Sequence, residues 1–196
     1  MKTGEVLPQI RSVALVALGS NRTSDHGDPT ETVRKGILSL VENFQAIRAV
    51  SSLYRTPAFP PGSGPDFVNA AVAIEVEEPP EIVIEKLHKI EENMGRTRDA
   101  RWEPRILDLD LVAHGDHVLP DAAKHARWRD LSLDQQMAQA PEELILPHPR
   151  VQERAFVLVP LADVAPDWKH PVLGLTVSEM LAALPQAQKE EIVRLE

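Results

Sequence analysis

The chain has 196 residues and no cysteine, which excludes a disulfide framework, a thiolate metal centre and a cysteine nucleophile. A formal net charge of -9 argues against a general nucleic-acid surface, and no apolar run approaches the ~20 residues of a membrane span. Hydrophobic residues make up 43% of the chain but aromatics only 4%, so Leu, Val, Ile and Ala must fill the core and each aromatic is a candidate for a specific task. The expectation is one domain over 1–196, cytoplasmic and monomeric, with neither membrane nor nucleic acid as a partner.

Residues 1–11 read as a short flexible leader. Val13-Ala14-Leu15-Val16-Ala17-Leu18 is a continuous apolar run that ends at Gly19-Ser20-Asn21, a central strand followed by a turn. No Gly-Lys-Ser/Thr follows, so the turn is not a P-loop. Asp28-Pro29-Thr30-Glu31 is a helix start with Asp28 as N-cap and Glu31 closing a capping box. Val33, Ile37, Leu40, Val41 and Phe44 then form one stripe, which predicts a helix over 29–44.

A strand is predicted from Ala46 to Tyr54 and a proline- and glycine-rich lid loop from Thr56 to Pro65. Over 67–76 apolar residues alternate. Val68, Ala70, Val72, Ile74 and Val76 share one face, while Phe67, Asn69, Ala71, Ala73 and Glu75 share the other. The second face has small residues beside Phe67 and Asn69, which leaves room for a flat ligand; Asn69 as a loop cap is the plainer reading. Pro79-Pro80 opens a helix with the stripe Val83, Leu87, Ile90 and Met94, stopped by Gly95. His88 and Glu91 lie near its C-terminal end, within reach of a nucleotide base or ribose.

From Arg96 to Arg105 the chain carries four arginines and Trp102. The next stretch, Arg105-Ile106-Leu107-Asp108-Leu109-Asp110-Leu111-Val112, alternates with period two. As a strand it buries the leucines and presents Asp108 and Asp110 together, Cα atoms about 6.6 Å apart at ~3.3 Å per residue. Two carboxylates on one side suit a hard cation, and the adjacent arginines suit phosphate. For the pair by itself, an amphipathic edge strand with two solvated aspartates is the better reading, and the arginine-rich run before it is what favours a site. Residues 114–143 are polar and irregular, with Trp128 the only large anchor, and read as a surface insertion. Order returns at Leu144-Ile145-Leu146-Pro147-His148-Pro149-Arg150, followed by a helix from Val151 to Leu161 and a last short helix behind the Thr176–Glu179 capping box.

Strand, helix, strand, strand, helix, strand is the βαββαβ order of an α+β, ferredoxin-like sandwich: an antiparallel sheet with helices on one face, additional C-terminal helices, and the site on the free face and loops.

Several stretches together resemble the 6-hydroxymethyl-7,8-dihydropterin pyrophosphokinases of folate biosynthesis. They are Ala17–Asn21, Ser51–Pro57, Pro65–Val72, Gly95–Arg98, Arg101–Asp110, Leu146–Arg150 and Arg154–Phe156. The resemblance implies transfer of a pyrophosphoryl group from ATP to the hydroxymethyl oxygen of the pterin, leaving AMP, with two Mg2+ ions held by Asp108 and Asp110. It implies that Arg96 and Arg105 act on the reacting phosphates, and that Arg98, Arg101, Trp102, His148, Arg154 and Glu91 bind ATP. The reduced pterin would lie between Phe67 and Phe156, its edge read by Asn69 and the chain at Thr56 and Pro57, with Phe59 and Trp102 closing over it. Three departures stand out: the loop between Arg98 and Trp102 is one residue short, His88 replaces a glutamine, and Phe59 replaces a smaller aliphatic. No side chain is expected as an essential general base, so positioning and charge neutralisation would carry the rate. A phosphodiesterase or nucleotidyltransferase would need a third carboxylate at the metals, and a non-catalytic ligand-binding module would leave the aspartates solvated.

Overall fold

The computed structural model describes residues 11–58, 64–95, 106–132, 134–135 and 139–196. Strand β1 (Ser12–Ser20) is central, because both of its neighbours pair with it over most of its length. On one side runs β4 (Phe67–Val76) and on the other β5 (Asp108–His114), both antiparallel to β1. Beyond β4 lie β2 (Ala46–Val50) and β3 (Tyr54–Thr56), and a two-residue strand β6 (Val193–Arg194) extends the edge past β3. The result is an antiparallel sheet with helices, an α+β architecture.

Helix α1 (Pro29–Asn43) forms as its sequence dictates. Asp28 accepts from the Glu31 N–H and the Glu31 carboxylate returns the bond, with Pro29 just inside. Helix α2 (Pro80–Asn93) ends at Gly95, whose φ of +85° is the left-handed conformation that terminates helices. Both helices bury their stripes on one face of the sheet. Val33, Leu40, Val83, Leu87 and Ile90 pack there against Val16, Leu18, Val72, Ile74, Leu107, Leu109 and Leu111. Each such side chain contributes ~1.5–3 kcal/mol through burial. The period-two pattern therefore placed every leucine of β5 inward and left its aspartates for the opposite face.

That opposite face is not free. Helix α4 (Ala155–Val164) and helix α5 (Val177–Ala183) cover part of it, burying Val157, Leu158, Leu161, Val177 and Met180 against Leu15, Ala71, Ala73, Val112 and Ala113. The sheet is thus sandwiched, because the small and branched residues of that face form a second core. Among the described residues, no helix is long and apolar enough to cross a membrane.

Local structure departs from expectation at four more places. The strand over 46–54 breaks at Ser51, whose Oγ takes the place of a backbone carbonyl and accepts the Ala71 N–H at 2.8 Å. Thr56, expected at the start of a loop, is the last residue of β3. The stretch read as irregular contains helix α3 (Ala122–Arg129), capped by Asp121, and its buried anchor is His125 rather than Trp128. The helix expected over 151–161 divides into a single 3-10 turn (Val151–Glu153) and α4, with Arg154 extended between them. A final short helix α6 (Gln186–Glu190) precedes β6.

Candidate active site

Gly19, near the end of β1, is flanked in one row by Asn69 on β4 and Asp108 on β5. Ala17, two residues earlier, stands opposite Asp110. All five side chains or Cα hydrogens belong to the face that α4 covers only in part: Val112 is buried, while Asp108 and Asp110 further along β5 are half-exposed. Small residues on β1 are what open the space between the two outer strands. A Cβ at Gly19 would come within 2.9 Å of Asn69 Oδ1, so only glycine fits there without moving that side chain.

Asn69 is buried and donates to Thr56 Oγ1 at 2.7 Å across the β3–β4 pair. A bond from Nδ2 to a hydroxyl fixes the amide so that Oδ1 points towards Gly19. Thr56 in turn is paired with Phe67, which is partly exposed at the end of β4. Pro57 is exposed and Ala58 buried just beyond. The neighbouring strand is tied to α4 by Asp163, which accepts from the Ser52 N–H at 3.1 Å and from the Tyr54 hydroxyl at 2.8 Å. Burial and the Asp163 carboxylate both push the Tyr54 hydroxyl above its ordinary pKa, so it stays a donor. Since α4 also carries Phe156, this tie sets the spacing between Phe156 and the Thr56 strand.

The break before α4 lets Arg154 turn back. Its guanidinium carbon lies 5.7 Å from the Phe156 ring centroid and its Nη1 lies 3.4 Å from His148 Nε2. His148 is held by its own backbone, which donates to Val112 O at 2.7 Å, and its Nδ1 accepts the Arg150 N–H at 3.1 Å. Burial, then Arg154, push its pKa down to about 3 against the pull of Asp108, so the ring is neutral at pH 7. A neutral imidazole accepts at one nitrogen only, so His148 takes either the Arg150 N–H at Nδ1 or Arg154 Nη1 at Nε2. With the proton on Nε2, the ring and the adjacent guanidinium would both be donors, an arrangement suited to an anionic oxygen.

Glu91, expected beside the nucleoside, lies under β5. It is 1% exposed, and its Oε1 accepts the Leu109 N–H at 2.8 Å, so it grips β5 between the two aspartates. His88 is half-buried on α2. Arg96, Arg98, Arg101, Trp102, Arg105 and Phe59 lie outside the described residues.

Among the described residues, no three His, Cys, Asp or Glu side chains converge on a metal position. Asp108 and Asp110, on one face of β5, are a pair of hard oxygen donors. That set fits Mg2+, which keeps waters and shares phosphate oxygens rather than filling a protein cage. Gly19, Ser51 and Asp163 were not marked as contributors by sequence reasoning. Gly19 and Ser51 did fall within stretches that carry the family resemblance, whereas Asp163 had no signal.

The model of the family described as 7,8-dihydro-6-hydroxymethylpterin-pyrophosphokinase (HPPK) matches residues 15–166. Two curated relatives carry the name 2-amino-4-hydroxy-6-hydroxymethyldihydropteridine pyrophosphokinase. The protein from Synechocystis is 37% identical over 176 residues, covering 89% of this chain and 77% of the relative. That from Pseudomonas aeruginosa is 38% identical over 172 residues, covering 87% and 90%. In fold, the chain is similar to a crystal structure of Plasmodium falciparum HPPK-DHPS with pterin and p-hydroxybenzoate, at a TM-score of 0.65 and 18% identity; 97% of this chain is covered but only 48% of that one. The chain belongs to the 7,8-dihydro-6-hydroxymethylpterin-pyrophosphokinase family, and its reaction is pyrophosphoryl transfer from ATP to hydroxymethyldihydropterin in folate biosynthesis.

Proposed function

We propose that the Asn69–Gly19–Asp108 row is the axis of that reaction, with the pterin at the Asn69 end and the triphosphate at the Asp108 end. At ~4.8 Å between strands, Asn69 and Asp108 are about 10 Å apart, room for a flat bicyclic ring whose hydroxymethyl arm reaches the carboxylates. Asn69 and Thr56 read the polar edge, and Phe67 and Phe156 bracket the ring. Pro57 continues that wall, and the family resemblance assigns Phe59, outside the described residues, to the pterin as well. The strand order, with α1 and α2 on one face, supports reading the central elements as a ferredoxin-like βαββαβ unit to which α4, α5 and α6 are added.

Asp108 and Asp110 would hold two Mg2+ ions, which supply neutralisation of phosphate charge. His148, with its proton on Nε2, and Arg154 donate to phosphate oxygens; outside the described residues, the family resemblance assigns Arg98, Arg101 and Trp102 to ATP and Arg96 and Arg105 to the charge that develops on transfer. Glu91 serves the nucleotide indirectly, by fixing the strand that carries both aspartates. Holding the hydroxyl oxygen and the β-phosphorus in line, with charge neutralisation, carries the rate.

The observation that carries this reading is the shared register of Asn69, Gly19 and Asp108 on one face. It is tested by three variants assayed for AMP and pterin diphosphate. Asp110→Ala should lower turnover on the order of 10³-fold with an unchanged circular dichroism spectrum. Asn69→Ala should raise the pterin KM and leave the ATP KM, and His148→Ala the reverse. Retained turnover without Asp110, or KM effects on the opposite substrates, would reject the assignment.

A further inference from the structure

The peptide unit joining Pro147 to His148 is pinned at both ends. Its N–H donates to Val112 O on β5 at 2.7 Å. Its carbonyl oxygen, that of Pro147, lies 2.9 Å from Nε2 of His125 on α3. A carbonyl only accepts, so Nε2 of His125 carries the proton and donates. Because a peptide is planar, holding its oxygen and its N–H together fixes the orientation of the plane, and with it the start of His148.

His125 is completely buried, and its Nδ1 has no hydrogen-bond partner among the described residues. An unsatisfied ring nitrogen costs stability, whereas an apolar side chain would fill the same space without that cost. The hold on Pro147 is what the imidazole adds. The ring is braced from behind by His170, edge-on at 5.8 Å between centroids. His170 is itself fixed, because its Nδ1 accepts the N–H groups of Val172 and Leu173. Trp168 packs beside it and donates to Gly115 O at 3.0 Å, at the start of the same segment. Leu119 and Leu146 exchange both backbone bonds, at 2.8 and 3.2 Å, immediately before Pro147.

We propose that His125 is a positioning residue for the nucleotide. It sets the Pro147–His148 peptide plane, and so makes α3 a working part of the ATP end of the site. This rests on the assignment of His148 to the nucleotide.

The test compares His125→Phe, which keeps a ring against His170 but cannot donate, with His125→Gln, whose amide can donate to Pro147 O. Equilibrium binding of a non-hydrolysable ATP analogue with Mg2+ is measured beside the KM for each substrate. Loss of one positioned hydrogen bond predicts about tenfold weaker nucleotide binding and an equally raised ATP KM in His125→Phe, with the pterin KM unchanged and recovery in His125→Gln. Should the phenylalanine variant not fold, His125→Met serves in its place. Unchanged nucleotide binding, or both KM values rising together, would overturn the proposal. His148→Ala is run in parallel. Its failure to weaken nucleotide binding would remove the assignment of His148 and this inference with it, whereas weakening there without any in His125→Phe would remove the inference alone.

Discussion

Glu91 Oε1 accepts the Leu109 N–H at 2.8 Å, so a buried carboxylate on α2 holds β5 at the residue between Asp108 and Asp110. Removing the acceptor leaves a buried backbone donor unpaired, at a cost of ~1–3 kcal/mol. Glu91→Ala should therefore lower the urea midpoint and turnover together, while Glu91→Gln, which keeps a carbonyl acceptor, should retain more of both. Equal losses in the two variants would show that the bond to Leu109 is not what matters.

Gly19→Ala tests how closely β1 must approach the ligand. The new methyl meets Asn69 Oδ1 at 2.9 Å, so the amide must rotate and the bond to Thr56 is strained or lost. A rise of about tenfold in the pterin KM is expected, the equivalent of one hydrogen bond, with the ATP KM little changed. Binding isotherms for the pterin alone would check it.

Tyr54→Phe removes the hydroxyl that Asp163 accepts and keeps the ring, which is 8% exposed. A loss of ~1 kcal/mol is expected from chemical unfolding, with a raised pterin KM because α4 and Phe156 are no longer fixed to β3. Lost stability without a change in pterin KM would confine the tie to the core.

Acid should destabilise the fold before the carboxylates titrate. Burial, with smaller effects from His125 and Arg129, pushes the His170 imidazole down to about 4, and His125 is lowered mainly by burial as well. The unfolded chain protonates these rings near pH 6.5, so below that pH it binds protons that the folded chain does not, for His170 down to about pH 4. Stability is then full above about pH 6.5 and falls as the pH drops towards 4. For His170 alone the loss is on the order of 3 kcal/mol. Urea midpoints from pH 8 to pH 4.5 would trace it, and His170→Gln should make the curve shallower, with the part due to His148 and His125 remaining.

Much of this protein can be read from its sequence because the pattern and the structure share a period. Alternation every two residues fixed which faces of β4 and β5 look inward, since pleated side chains have no other choice. The boxes at Asp28 and Thr176 and the glycine at 95 set helix ends through bonds that span only three or four residues. Asp108 and Asp110 were legible for the same reason, being neighbours on one strand.

The remaining determinants lie between residues far apart in the chain. Glu91 reaches Leu109, Asp163 reaches Tyr54 and His125 reaches Pro147, and none of these pairs leaves a local signature. The second core beneath α4, and the row that sets Asn69 beside Gly19 and Asp108, exist because strands distant in sequence pair in one register. Periodicity specifies the face a side chain occupies; its partner across the sheet is chosen by packing, and that choice assembles the site.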